Sequence, residues 1–104
     1  MNENKLREQI CLLATSIFDR GLTHGSTGNI SVRLDDNNIL VTPSGSSFGR
    51  LDPNQIVKVS KSGEITGSTT PTKELLLHQA FYETRGMKSG AVVHLHSTYS
   101  VALS

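Results

Sequence analysis

The segment Ala91-Val92-Val93-His94-Leu95-His96 constrains the fold more than any other stretch of the chain. Side chains of a strand alternate between its two faces, so consecutive apolar residues at its start put apolar groups on both. Such a strand lies inside a sheet and needs a covering layer on each side. Two helical patterns offer those layers. Leu6, Ile10, Leu13, Ala14 and Ile17 recur at spacings of three and four, which predicts an amphipathic helix capped by Asn2 or Asn4 and ended by Arg20-Gly21. A second helix is expected from Thr72 to Thr84, opened by Thr70 or Thr72, with Leu75, Leu76, Ala80 and Phe81 as its apolar face.

Between the helices the period changes to two. Ile30-Ser31-Val32-Arg33-Leu34 and Ile39-Leu40-Val41-Thr42 flank Asp35-Asp36-Asn37-Asn38, residue types that favour a hairpin turn. Ile56-Val57-Lys58-Val59 is a further strand, and a turn at Lys61-Ser62-Gly63-Glu64 lets Ile65 pair back. Residues Ser97 to Ser104 read as the start of a third helix, inside which the sequence stops. The order predicts one layered α/β unit with mixed or antiparallel strands. A two-sided strand with only two full helices to cover it implies residues 1–104 are part of a longer domain.

Composition narrows the function classes. Leu, Ile, Val and Phe exceed a quarter of the chain, above the roughly 20% below which disorder is expected. A formal charge of +1 leaves no electrostatic footprint for nucleic acid or a membrane surface, and no apolar run reaches bilayer length. The polar start Met1-Asn2-Glu3-Asn4-Lys5 is no signal peptide. The single cysteine, Cys11, excludes an internal disulfide and fits a reducing cytoplasm; among Ile10, Leu12 and Leu13 it reads as inert.

His94-Leu95-His96 carries the sharpest chemical signal. At i and i+2 both imidazoles project from one face, with Cβ atoms about 6–7 Å apart. Two imidazoles of that reach can converge on one Zn²⁺ at about 2.0–2.1 Å. A catalytic zinc needs a third protein ligand and an open position, for which Glu74, His78 and His24 are the candidates. Glu74 falls at the start of the second helix, where the dipole favours a carboxylate, and shares a helix face with His78. His78, beside Leu75 to Leu77, reads as core-facing or as a support to the ligands.

Three loops join small donors to element ends: Gly25-Ser26-Thr27-Gly28-Asn29, Thr42-Pro43-Ser44-Gly45-Ser46 and Thr70-Pro71-Thr72-Lys73. Glycines let backbone N–H groups approach an anion, hydroxyls add donors, and a helix start adds its dipole. Lys73 adds a positive charge. None matches a Walker loop or a dinucleotide fingerprint. Three together, one directly before a candidate metal-binding carboxylate, point to a phosphate cradle.

Thr27-Gly28-Asn29-Ile30-Ser31, Thr42-Pro43-Ser44-Gly45, Pro71-Thr72-Lys73-Glu74 and Ala91-Val92-Val93-His94-Leu95-His96-Ser97 occur in the order seen in the class II aldolase/adducin superfamily. The chain resembles the N-terminal half of that domain along essentially its whole length. Leu51-Asp52-Pro53, Lys73 before Glu74, and His94-Leu95-His96-Ser97-Thr98 most resemble the branch that decarboxylates 3-oxo-tetronate 4-phosphates; aldolases of the superfamily more often have a second Ser where Lys73 stands. The resemblance implies an α/β/α fold with a mostly antiparallel central sheet, and a cytoplasmic homo-oligomer, a tetramer in the family. It also implies one Zn²⁺ bound by His94 and His96, with Glu74 as resting ligand and proton acceptor. Gly28, Asn29, Thr42, Gly45, Thr72 and Lys73 match the residues that bind phosphate. The family's third histidine lies in its second half, beyond Ser104, and Gly86-Met87-Lys88-Ser89-Gly90 is about one residue longer than usual. The implied reaction loses CO₂ from a sugar-acid phosphate through a metal-stabilised enediolate and yields dihydroxyacetone phosphate. Aldolase or epimerase chemistry on the same site, and a non-catalytic assembly role like that of the adducin head, are the alternatives.

Overall fold

In the computed structural model, which describes residues 2–22, 28–34, 37–67, 69–85, 90–94 and 100–103, two helices sandwich an antiparallel sheet. Helix α1 spans Glu3–Asp19. Asn2 caps it, its side chain accepting from the Lys5 N–H at 2.8 Å, a contact of the kind that stabilises by about 1 kcal/mol. At the other end Gly21 adopts φ +72°. Its N–H reaches Phe18 O while the Leu22 N–H reaches Ile17 O, so the expected glycine closes the helix by a Schellman turn.

Strands β1 (Asn29–Arg33), β2 (Ile39–Val41), β3 (Val57–Val59), β4 (Ile65–Thr66), β5 (Ala91–His94) and β6 (Ser100–Leu103) make up the sheet among the described residues, in the order β4-β3-β2-β1-β5-β6. Every neighbouring pair is antiparallel. The expected hairpin forms between β1 and β2, with Val32 opposite Leu40, and Ile65 pairs back against Val59. Between β2 and β3, single 3₁₀ turns at Phe48–Arg50 and Pro53–Gln55 start on side-chain caps from Ser47 and Asp52.

Strand β5 is covered on both faces, as its apolar start requires. Val93 joins Ile30, Leu40, Phe48 and Ile56 beneath the α1 stripe of Ile10, Ala14 and Ile17. Val92 turns the other way, joining Ile39, Val41, Val57 and Val59 under Tyr82 of α2 (Leu75–Arg85). Each isoleucine buried this way contributes about 1.5–3 kcal/mol. Arg7 pins α1 to the loop before β3, donating to the carbonyls of Pro53 and Ile56, while Glu3 bridges Arg7 and Lys58.

Three local expectations change. Residues 100–103 are a strand, not a helix: they pair along the outer edge of β5, from Ala91 opposite Leu103 to His94 opposite Ser100. Pairing there satisfies backbone groups that an open edge would leave exposed. On α1, Leu13 is exposed and the buried stripe is narrower than expected. On α2, Leu76 and Ala80 face solvent while His78 and Tyr82 are buried. The inward face of this helix is polar because a hydroxyl and an amide from β1 lie beneath it and hydrogen-bond to it.

Candidate active site

Strand alternation sets the site. Ile30 belongs to the α1 side, so Asn29 and Ser31 point toward α2, and His94 lies directly opposite Asn29 in the β1–β5 ladder. His78 is wholly buried above them. Its Nε2 contacts Asn29 Oδ1, and its Nδ1 lies 2.6 Å from Ser31 Oγ, which in turn lies 2.8 Å from the Tyr82 hydroxyl. The donor directions follow from these atoms. A carbonyl oxygen only accepts, so Nε2–H donates to Asn29; Nδ1 of the neutral ring then accepts from Ser31 O–H; Ser31 has no second proton, so Tyr82 O–H donates to Ser31 Oγ. Burial, with the nearby His94 adding to it, pushes the His78 pKa down to about 4. Burial raises that of Tyr82 to about 12 despite the Ser31 hydrogen bond and the Arg33 charge, which pull it down. Both groups hold the protonation states that the string of bonds requires.

Backbone bonds draw the small-residue loops together. The Thr42 N–H donates to Ile30 O at 3.0 Å, and the Ile30 N–H donates to Thr42 Oγ1 at 3.2 Å. The Thr72 N–H donates to Thr42 O at 3.0 Å and the Ser44 N–H to Thr70 O at 2.8 Å, around a bridge between Pro43 and Pro71. Asn29, Thr42 and Thr72 are all buried, on backbone segments that these bonds hold next to one another. Gly28 is buried at the entry to β1. Gly45 turns the second loop with φ +72°, in the left-handed region that favours glycine. Thr72 Oγ1 accepts from the Glu74 N–H at 3.3 Å, and the Glu74 carbonyl accepts from Leu77 and His78. Helix α2 therefore begins at Leu75, and Glu74, half-buried, sits just before it rather than within its first turn, with Lys73 exposed beside it.

Among the expected site residues, Asn29 lies opposite His94 in the β1–β5 ladder with Gly28 just before it, and hydrogen bonds join Thr42 to Thr72 and Thr72 to Glu74 on the approach to α2. Gly45 and Lys73 are exposed on the adjoining loops. His96 and His24 lie outside the described residues, as do Gly25 to Thr27 and most of the lengthened loop before β5. Among the described residues no group of three His, Cys, Asp or Glu side chains is gathered closely enough to hold a metal. The donors present, an imidazole at His94 and a carboxylate at Glu74, are nitrogen and oxygen ligands of the type zinc takes. His78 is unavailable as a further ligand, because both ring nitrogens are already engaged. A cleft lined by Arg33, Ile39, Val59, Gln79, Tyr82 and Glu83 holds none of the site residues expected from the sequence.

Ser31 and Tyr82 join the site through His78, although Tyr82 lies in no sequence motif and Ser31, the last residue of the motif at 27–31, carries no expected role in it. A signal exists: Glu74, His78 and Tyr82 follow one another at i, i+4 along one helix face, and Ser31 shares a strand face with Asn29. Cys11 is half-buried and burial raises its thiol pKa, which fits an unreactive side chain.

The family model described as class II aldolase and adducin N-terminal domain matches residues 8–104. The chain belongs to this family. Its relatives within the class II aldolases are lyases. A 3-oxo-tetronate 4-phosphate decarboxylase from Escherichia coli (strain K12) is 48% identical over 102 residues, covering 98% of this chain and 48% of the relative. An L-fuculose phosphate aldolase from the same strain is 35% identical over 104 residues, covering all of this chain and 47% of the relative. Among solved structures, YgbL from Escherichia coli, described as a putative aldolase/epimerase/decarboxylase, superposes with a TM-score of 0.85 at 45% identity, covering 92% of this chain and 46% of that one. The class II aldolase-like chain thus spans about half the length of the curated relatives it matches. No helix among its described residues is long and apolar enough to cross a membrane.

Proposed function

We propose that the protein to which this chain belongs decarboxylates a 3-oxo-tetronate 4-phosphate to dihydroxyacetone phosphate and CO₂. The observation that carries the reading is the 48% identity to a decarboxylase of that specificity across 98% of the chain, against 35% to a fuculose phosphate aldolase. The Asn29 amide and the Thr42 and Thr72 hydroxyls, held on neighbouring segments before α2, support it, because each has a proton to donate to a phosphate oxygen: both threonine oxygens accept in the bonds above and keep their own O–H. The enzyme is taken to be cytoplasmic and homo-oligomeric, and its substrate to be a small sugar-acid phosphate.

In this reading Glu74, His94 and His96 hold one zinc ion. When bound, zinc supplies a Lewis acid for the negative charge that builds on substrate oxygens as the carbon–carbon bond breaks. Asn29, Thr42 and Thr72, with Gly28, Gly45 and Lys73, grip the phosphate. Binding energy from that remote group is spent on orienting the carbon skeleton. As CO₂ leaves, the electron pair of the broken bond stays on the adjacent carbon, which must gain a proton to give the ketone product. The Glu74 carboxyl handles that proton, held at the mouth of α2 by the Thr72 turn.

Turnover of 3-oxo-tetronate 4-phosphate by the intact protein, followed through the dihydroxyacetone phosphate released, tests the proposal. Glu74→Gln is expected to abolish turnover while zinc stays bound. Cleavage of a ketose 1-phosphate with no decarboxylation would replace the reading by an aldolase, and unchanged turnover in Glu74→Gln would reject the role given to that carboxylate.

A further inference from the structure

Tyr82, Ser31 and His78 form a string of hydrogen bonds that ends on Asn29, one of the residues assigned above to phosphate binding. The geometry points to a positioning function: the string Tyr82→Ser31→His78→Asn29 fixes the orientation of the Asn29 carboxamide and turns its NH₂ group toward the phosphate. The inference rests on the proposed phosphate cradle and adds to it three residues that act on the phosphate through Asn29.

The argument is one of donors and acceptors. A carboxamide is nearly symmetric in shape, so packing alone chooses poorly between its two flipped forms. Asn29 is buried at the entry to β1, and its orientation is decided by whatever faces its oxygen. His78 Nε2–H faces it, and a flipped amide would set NH₂ against N–H. That choice holds only while Nε2 carries the proton. Ser31 enforces this by giving its own proton to Nδ1, and Ser31 is oriented in turn because the Tyr82 phenol donates to its oxygen. The links are coupled: with Asn29 Oδ1 set against His78 Nε2, reversing any single link leaves two donors or two acceptors in contact. Ser31 and His78 are wholly shielded from solvent and Tyr82 nearly so, so no water competes for these bonds. The string is rooted in rigid elements: Asn29 and Ser31 share a face of β1, while His78 and Tyr82 are one turn apart on α2. A core that needed only to be filled would put leucine at 78 and phenylalanine at 82. With its oxygen engaged by His78, the donating edge of Asn29 remains for an anion, whose oxygens only accept.

The test uses the intact protein and inorganic phosphate as the probe, measured as a competitive inhibitor beside steady-state kinetics and zinc content. Ser31→Ala is expected to weaken phosphate inhibition and lower kcat/KM by about tenfold, with zinc content nearly unchanged. Asn29→Ala is expected to do at least as much. In Ser31→Ala/Asn29→Ala the loss should equal that of Asn29→Ala alone, since the string acts only through this amide. ¹⁵N shifts of the His78 ring should report the neutral Nε2–H form in the wild type. Additive losses in the double variant, or an Nδ1–H ring, would overturn the positioning function while leaving the phosphate cradle intact. Unchanged phosphate inhibition in Asn29→Ala would remove the cradle itself, a distinct failure. If Ser31→Ala does not fold, Tyr82→Phe takes its place. It keeps the ring and loses one donor, and an Asn29 side-chain amide resonance unmoved by that change would equally overturn the inference.

Discussion

His78 makes the fold sensitive to mild acid. Its imidazole is fully buried, and burial together with His94 holds its pKa down to about 4, against about 6.5 in an unfolded chain. Between those values the unfolded chain takes up a proton that the folded chain refuses. The unfolded state is therefore favoured progressively as pH falls from about 6.5 to about 4, and this group adds no further loss below that. The difference corresponds to roughly 3 kcal/mol, a large share of the 5–15 kcal/mol typical of a domain. Protonation would also make Nδ1 a donor facing Ser31 O–H, so the hydrogen-bond string and the electrostatics resist the same event. Urea unfolding of the wild type and of His78→Gln, each measured across this pH range, isolates the contribution. The variant has its own constant cost, but its stability should fall less steeply with acid by roughly the amount given. Parallel curves, or an imidazole that titrates near 6.5 in the folded protein, would refute the reasoning.

Away from the site, Arg7→Met should destabilise by about 2 kcal/mol, because the carbonyls of Pro53 and Ile56 lose a charged donor; chemical denaturation measures it, and turnover per folded molecule should not change. Glu3 is held below the usual carboxylate range chiefly by its hydrogen bond from Lys58, so its small contribution is present above about pH 4.5 and lost as pH falls through its lowered pKa. Glu3→Gln should remove that acid-dependent part, under about 1 kcal/mol for so exposed a pair, and an unaltered acid limb would contradict it. Phe48 is 1% exposed between α1 and the sheet, and Phe48→Ala should cost about 3–5 kcal/mol in the same assay.

Much of the fold is legible in the sequence because period and local chemistry agree there. The α1 spacing, its Asn2 cap and its Gly21 stop each act within a few residues, and the cap, the stop and the Ile10, Ala14 and Ile17 part of the stripe reappear in the structure. Ala91-Val92-Val93 foretells a strand covered on both sides because alternation is a property of the backbone itself. Residues 100–103 mislead for the opposite reason. Ser-Val-Ala-Leu is too short to distinguish a helical period from a strand period, and the deciding influence is the distant edge of β5, which no local pattern contains.

The inward face of α2 shows the same limit at the site. Hydrophobicity assigns that face to Leu75, Leu76, Ala80 and Phe81, yet Leu76 is 79% exposed while His78 is fully buried. Burying a histidine and a tyrosine costs free energy unless each polar atom finds a partner, and the partners are supplied by β1, more than forty residues earlier in the chain. The transfer preferences of a helix's own residues carry no trace of Ser31 and Asn29, which turn that cost into a satisfied network. The motif residues are legible as donors or ligands one at a time. What orients them depends on the register that sets Asn29 opposite His94 and on the turn of α2 that brings His78 over both. Glu74, His78 and Tyr82, spaced by four along a helix, carry that information only when the helix is read for its polar stripe, since here Leu76 and Ala80 face out while the hydrogen-bonding His78 and Tyr82 face in.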